Sequence, residues 1–305
     1  MAVVRMRFTG SGSGVTYIDL AKALSLQERK LHRQKKIYTV YGGYFVDGSQ
    51  GDNISRVNLN TAPNTWVSRT AVNRGFRIWK RMISQTIADS PGLQTGKYSD
   101  FKVYLNDSHG SGPMLPVDAN GQNLYLSTGP EWDYSTLVSA DPAEDNSGTK
   151  LPQDQFELKI VGVKAGGVQN EANAGGWTRI GLIESWLNTR SHPRLGEPTN
   201  TPDGPADPLA NLFDAGDAQD DRMAVIEAES DQAPYDETSM FGMNHATTTG
   251  DYNLQRQSVA TATKQMPVGP VHGFQALCGL IQVDCTSADA AWELVLDVES
   301  VGEEF

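Results

Sequence analysis

Hydrophobic positions alternate with polar positions along much of the chain, which is the period of a β-strand with one buried face. The last such segment, with Trp292, Leu294, Leu296 and Val298, shows the alternation clearly. The segments with this pattern or with a short apolar run are residues 3–8, 37–46, 101–105, 124–126, 156–163, 180–187, 225–228, 271–285 and 292–298. We predict a strand in each of them. Clusters of Pro, Gly, Asp and Asn separate the segments and predict long loops.

Two stretches near the start have the period of a helix instead. In the first, the residues that share one helical face are Leu20, Ala23, Leu24, Gln27 and Leu31. Ser25-x-x-Glu28 within this stretch has the form of a capping box, so we expect the helix to begin near Leu26.

The second helix is predicted over residues 68–88. The residues that recur at helical spacing are Val72, Phe76, Trp79, Ile83 and Ile87. Arg74, Arg77 and Arg81 occupy a different face, with Lys80 beside them. Asp89-Ser-Pro91-Gly92 ends the helix.

Many strands with long, irregular connections and few helices predict a mainly β fold. We expect a single jelly-roll sandwich with one or two short helices in the N-terminal third and long loops. The chain of 305 residues is long enough for one such domain.

Charge is distributed unevenly along the chain. Residues 1–105 contain 16 Lys and Arg against 6 Asp and Glu, while the remaining residues contain 9 against 31, and the net charge is −12. Such separation favours a protein whose basic face contacts a polyanion and whose acidic face keeps the protein soluble. An acidic enzyme whose basic helices lie early in the chain is the alternative.

Neither the cysteines nor the hydropathy indicate a secreted or membrane protein. Cys278 and Cys285 fall in one predicted strand with opposite orientations, so we expect reduced, buried thiols and no bridge. No run of 18 apolar residues and no signal-peptide core are present, so we expect a soluble protein made without a signal peptide.

The sequence offers no catalytic constellation. The five histidines are scattered singly, and the glycine-rich segments lack the spacing of phosphate loops or a nucleophile elbow. We therefore predict a non-enzymatic protein with no cofactor and no dedicated metal site. One acidic turn, with Asp214, Asp217, Asp220 and Asp221, is best interpreted as solvated, although a divalent cation between subunits stays open.

Two stretches resemble capsid proteins of small environmental (marine-type) circular single-stranded DNA viruses. The motifs of the first stretch are Leu24-Ser-x-x-x-Arg29-Lys-Leu31, Tyr38-x-Val40, Pro63-Asn-Thr-Trp66 and Arg74-Gly-Phe-Arg77. Those of the second are Ile180-Gly-Leu-Ile183, Ser185-Trp, Thr189-Arg, Asp207-Pro-Leu209, Leu212-Phe-Asp214 and Pro234-Tyr-Asp236. Together they cover about a third of the chain.

This resemblance implies a coat protein that assembles with copies of itself into a small icosahedral shell around a nucleic-acid genome, within a virion. Residues 1–35 would form a basic N-terminal arm and short helix. Residues 36–305 would form the jelly-roll shell domain, with long acidic loop insertions at about 191–270.

The genome partner would be bound without sequence readout, and no membrane would be involved. The cations expected to face inward are Arg5, Arg7, Arg29, Lys30, Arg33, Lys35, Lys36, Arg74, Arg77, Lys80 and Arg81. The alternative function is a β-sandwich binding module for carbohydrate or protein, with a groove lined by aromatic residues such as Trp132, Tyr134 or Trp177.

Overall fold

A computed structural model describes residues 3–48, 54–90, 92, 95–111, 113–124, 132–138, 155–162, 178–190, 254–286, 291–299 and 301–305. These residues are mainly β, with antiparallel sheets and three α-helices, an arrangement consistent with a β-sandwich. The prediction of a mainly β protein is confirmed. The acidic turn at 214–221, Trp177 and residues 191–253 of the predicted insertion lie outside the described residues.

Within the described residues, eleven strands and three α-helices follow in chain order. The strands are β1 Val3–Ser11, β2 Gly14–Asp19, β3 Ile37–Asp47, β4 Ser55–Thr61, β5 Thr136–Val138, β6 Gln155–Lys159, β7 Thr178–Gly181, β8 Gln255–Ala262, β9 Val268–Leu277, β10 Leu280–Thr286 and β11 Ala291–Glu299. The helices are α1 Leu20–Glu28, α2 Trp66–Asp89 and α3 Leu182–Arg190.

Eight of the strands form two four-stranded sheets. The first sheet has the order β1-β11-β3-β9 and the second the order β2-β10-β4-β8, and every neighbouring pair is antiparallel. One hydrophobic core contains inward residues of both sheets, such as Phe8 and Leu294 from the first and Leu59 and Ile281 from the second. The two sheets therefore share a core.

The first strand shows how the alternating pattern builds this core. Met6 and Phe8 of β1 are buried, while Arg5 and Arg7 point to the other face. Because β1 pairs with β11 and β2 pairs with β10, residues 3–19, which fall in the predicted N-terminal arm, are strands of the two sheets.

The first helix begins earlier than the capping-box pattern predicted, so that prediction is wrong. The N-cap of α1 is Asp19, whose side chain accepts a hydrogen bond from the Lys22 backbone N–H at 3.1 Å. Ser25 instead donates its hydroxyl to the Ala21 carbonyl, and the helix ends at Arg29, which has a φ of 55°. Helix α2 extends slightly beyond the predicted 68–88 at both ends.

Residues 62–254 are inserted between β4 and β8, two strands that pair directly. A third small sheet in this insertion has the order β5-β6-β7. The predicted strand at 180–187 is wrong, because β7 ends at Gly181 and α3 follows at once. The predicted strand at 101–105 is also wrong, because among these residues only Tyr104 forms a bridge, an isolated one with Lys159.

The predicted strand at 271–285 is two strands that belong to different sheets. The turn between β9 and β10 holds Cys278 and Gly279, with φ values of 58° and 69°, which is the left-handed region that tight two-residue turns require. Cys278 and Cys285 are both free and buried, as expected, although they do not share one strand.

Candidate nucleic-acid interface

The strand register brings both early helices to one end of the sandwich. Asp19 pairs with Leu280, and Ile37 pairs with Leu277, so the β2–β3 connection lies beside the turn between β9 and β10. Thr61 pairs with Ile281, so the β4–β8 insertion leaves from the same end. Helices α1 and α2 therefore emerge together, although they belong to different connections.

Helix α2 has one packed face and one exposed face. Its N-cap, Thr65, accepts a hydrogen bond from the Ser68 backbone N–H, and Val72 and Gly75 are buried. Gly75 is needed because a Cβ there would lie 2.8 Å from the Leu182 Cδ2 atom of α3. The second half of this 24-residue helix has no fully buried residue.

Four predicted cations, Arg74, Arg77, Lys80 and Arg81, lie on the exposed face of α2. Within the described part of the chain none of them forms an ion pair, and α2 contains no acidic residue before Asp89. Three pairs among them, 74/77, 77/80 and 77/81, are three or four residues apart, so these like charges repel by about 0.2–0.5 kcal/mol per pair. An external anion would relieve this repulsion. We call these four residues the α2 cation face.

The two predicted cations on β1 already have acidic partners. Arg5 forms two hydrogen bonds with the Asp297 carboxylate, at 2.7 and 2.8 Å, and Arg7 lies 2.7 Å from Glu293. Hydrogen bonding to its guanidinium partner lowers the pKa of Asp297. These pairs lie on the outer face of the first sheet, and the Arg5 carbonyl accepts a hydrogen bond from the Gln27 side chain of α1 at 3.1 Å.

The cations that follow α1 differ in their partners. Lys30 pairs with Glu28, Arg33 lies 3.9 Å from Asp100, and Lys36 lies 3.6 Å from Glu304. The exposed Arg29 forms no ion pair with a described residue. The Lys35 ammonium lies 4.7 Å from the centroid of the Phe76 ring, so this lysine links the segment after α1 to helix α2.

Sequence reasoning missed three further cations at this end of the sandwich. Lys22 of α1 is partly buried, and burial lowers its pKa, while Lys97 and Lys102 lie in the loop after α2. Lys97 and Lys102 line a cleft of about 590 Å³, and Lys22 lines a second cleft of about 220 Å³. The signal that could have found them is the mixture of Lys, Tyr and Trp in polar loops, where binding residues concentrate.

An aromatic cluster adjoins the larger cleft through Tyr134, which lines it. Tyr104 and Tyr134 stack with ring centroids 3.8 Å apart, and Tyr17 stacks on His109 at 5.0 Å. His109 Nδ1 accepts a hydrogen bond from the Leu105 backbone N–H at 3.1 Å, so the neutral ring has its proton on Nε2. Burial lowers the pKa of His109 to about 3, and the charges of Arg179 and Lys22 act in the same direction.

We expect His109 to make the protein less stable in mild acid. The unfolded chain takes up a proton at this histidine below about pH 6.5, whereas the folded chain does not until about pH 3, so lowering the pH favours unfolding. The free energy of unfolding of the His109→Asn variant should fall less steeply than that of the native protein. Below pH 6 the slopes of the free energy of unfolding against pH should differ between the two proteins by about 1.4 kcal/mol per pH unit.

Urea denaturation at several pH values between 6 and 4 measures this difference. A comparison with the variant is necessary because Asp19 acts in the opposite direction: burial raises its pKa to about 6, so the folded state gains a proton first. Parallel pH profiles for the two proteins would contradict the prediction.

The described residues contain no group of three or more His, Cys, Asp or Glu side chains placed to hold a metal ion. Within the same ranges, no helix is both long and apolar enough to cross a membrane. What this end of the sandwich offers a ligand is positively charged side chains and aromatic rings. Comparison with protein families, with curated proteins and with solved structures finds no match.

Proposed function

We propose that this chain is a viral coat subunit with a jelly-roll fold, which assembles with copies of itself into a small icosahedral shell around a nucleic-acid genome. The proposal rests on the pairing of the eight sandwich strands. The first pairs with the last (β1 with β11), the second with the seventh (β2 with β10), the third with the sixth (β3 with β9) and the fourth with the fifth (β4 with β8). This nested order is that of one long hairpin rolled into two sheets, and viral capsid domains are among the proteins built this way.

Lectins and cupins also use jelly rolls, so the fold alone does not choose among them. The α2 cation face favours the coat protein. Four exposed cations without an acidic partner among the described residues supply a surface for phosphate groups, with no base readout. In the proposed virion this end of the sandwich faces the nucleic-acid genome.

Electron microscopy of the purified protein tests the proposal. We expect closed particles of uniform size, whose absorbance ratio at 260 and 280 nm reports packaged nucleic acid. A nuclease-treated sample is the control, because enclosed nucleic acid stays protected. Monodisperse monomers at high protein concentration, across salt and pH, would contradict the proposal.

A second candidate is a binding module for carbohydrate. It is favoured by the aromatic residues that line the two clefts, Trp132 in the smaller one and Tyr134 in the larger one. The smaller cleft is lined by Lys22, Arg29 and Lys30 and by no acidic residue, which favours an anionic ligand there over a neutral sugar.

A further inference from the structure

The smaller cleft, of about 220 Å³, lies between the C-terminal end of α1 and two loops of the β4–β8 insertion. Its lining includes the cations Lys22, Arg29 and Lys30 and the aromatic rings of Tyr98 and Trp132, and it includes no acidic residue. Pockets for drug-sized ligands measure about 300–1,000 Å³, so this one has room for a smaller group such as a single ring system. We call it the α1 cleft.

Tyr98 offers an exposed ring in the α1 cleft, whereas Trp132 is partly buried and packs against the sandwich core. The Tyr98 side chain belongs to a residue that is 62% exposed, and the Lys97 ammonium lies 5.5 Å from its ring centroid. Lys102 lies 4.7 Å from the centroid of the Trp132 ring. Neither ring contacts another aromatic ring in the described part of the chain.

Hydrogen bonding holds Trp132 in place. Its indole N–H donates to the Asp19 carboxylate at 3.0 Å, and Asp19 also accepts from the Gln34 amide at 3.1 Å and caps α1. The ring is therefore fixed to the same helix that supplies Lys22 and Arg29. Such preorganisation lowers the entropy cost of binding.

Aromatic rings beside cations fit a ligand that has both a planar ring and a negative charge. Proteins that bind single-stranded nucleic acid combine these two features, with bases stacked on aromatic side chains and a basic groove along the backbone. A neutral sugar could stack on Tyr98 or Trp132 but would not engage the charge of Lys22 or Arg29.

We propose that the α1 cleft binds a base of single-stranded nucleic acid against Tyr98 and Trp132, while Lys22, Arg29 and Lys97 contact the adjoining phosphates. This inference rests on the proposed function, and it adds base stacking to a contact otherwise made only with phosphates. Stacking of this kind tolerates any base, so the binding remains independent of sequence.

A strand bound in the α1 cleft can continue toward the α2 cation face. Tyr98 lines both clefts, and the larger one is also lined by Trp79 of α2. Lys80, a member of the α2 cation face, follows Trp79 directly in the helix. The larger cleft, whose lining also includes Asp100 and Asp133, therefore lies between the stacking site and Trp79 of α2.

Two oligonucleotides of equal length separate stacking from charge: oligo(dT), and an abasic strand with the same sugar-phosphate backbone. Fluorescence anisotropy with the full chain should show that oligo(dT) binds about 5- to 100-fold more tightly than the abasic strand. Tyr98→Ala should weaken oligo(dT) binding by about 5- to 20-fold and leave abasic binding unchanged. Tyr98→Phe should retain the native affinity, because it keeps the ring.

Tyr41→Ala is the matched control, since Tyr41 is 51% exposed on β3 and lines neither cleft. Photocrosslinking of an oligonucleotide with 5-iodouracil should label Tyr98 or Trp132. Equal binding of both strands by the native protein, with no effect of Tyr98→Ala, would overturn the cleft assignment and leave the proposed function standing.

Failure to bind either strand would count against the proposed function as well as against the cleft. Binding of a neutral oligosaccharide that Tyr98→Ala abolishes, without oligonucleotide binding, would overturn the assignment in favour of a carbohydrate site.

Discussion

Replacement of Arg74, Arg77, Lys80 and Arg81 by glutamine should weaken binding of single-stranded DNA by about 100- to 1,000-fold at 0.1 M salt. Each phosphate contact with single-stranded DNA contributes about 0.7 to the slope of log K against log salt, so the slope should decrease by about 2.8. Because the four side chains are exposed and repel one another, the variant should fold as well as the native protein. Anisotropy titrations at several salt concentrations measure affinity and slope together.

A pair of double variants removes equal charge at two places. Arg77→Gln with Arg81→Gln removes cations that have no described partner, whereas Arg5→Gln with Arg7→Gln removes cations paired with Asp297 and Glu293. We expect the first pair to lower the slope by about 1.4 and the second to change it little. Equal slopes for both double variants would show that net charge, not the α2 cation face, determines binding.

Replacement of Asp107 by asparagine should destabilise the protein by about 3–5 kcal/mol. The Lys159 side chain is fully buried, and its ammonium donates a 2.5 Å hydrogen bond to Asp107. The substitution leaves a positive charge buried beside a neutral amide, and that charge cannot be solvated. Urea denaturation at pH 7, monitored by circular dichroism, measures the loss.

Two further variants test the physical reason. Lys159→Met should cost less than Asp107→Asn, because Asp107 is 27% exposed and can be solvated without its partner. Asp297→Asn should cost less than about 1 kcal/mol, because it breaks a pair with the exposed Arg5. A larger loss of stability in Lys159→Met than in Asp107→Asn would contradict this reason. It would show that the packing of the lysine side chain contributes more to stability than the pairing of its charge.

The elements with the most regular patterns were predictable from the sequence. The alternation in β11 persists over four apolar positions, and the helical spacing in α2 persists over several turns. Both elements lie where the patterns indicate. Residues 180–187 were not predictable, since a short apolar run suits either a buried strand or a helix. Packing decides there, because Leu182 of α3 lies against Gly75 of α2.

Contacts between distant parts of the chain account for the other differences. The pairing of Arg5 with Asp297 depends on the register of β1 and β11, which no local pattern determines. The α1 cleft combines residues 22–31 with Tyr98 and Trp132, so only the tertiary fold brings its cations and rings together. The α2 cation face was predictable because a single helix supplies all four of its members.

The pairing of β1 with β11 has a consequence during synthesis. Ser11 pairs with Ala291, so β1 leaves the ribosome long before its neighbour exists. At about 5–20 residues per second, that delay is roughly 15–60 s. An unpaired strand edge can associate with other chains during this interval. Arg5 and Arg7 lie on that edge strand without Asp297 and Glu293 at first, and their exposed charges then hinder aggregation of nascent chains.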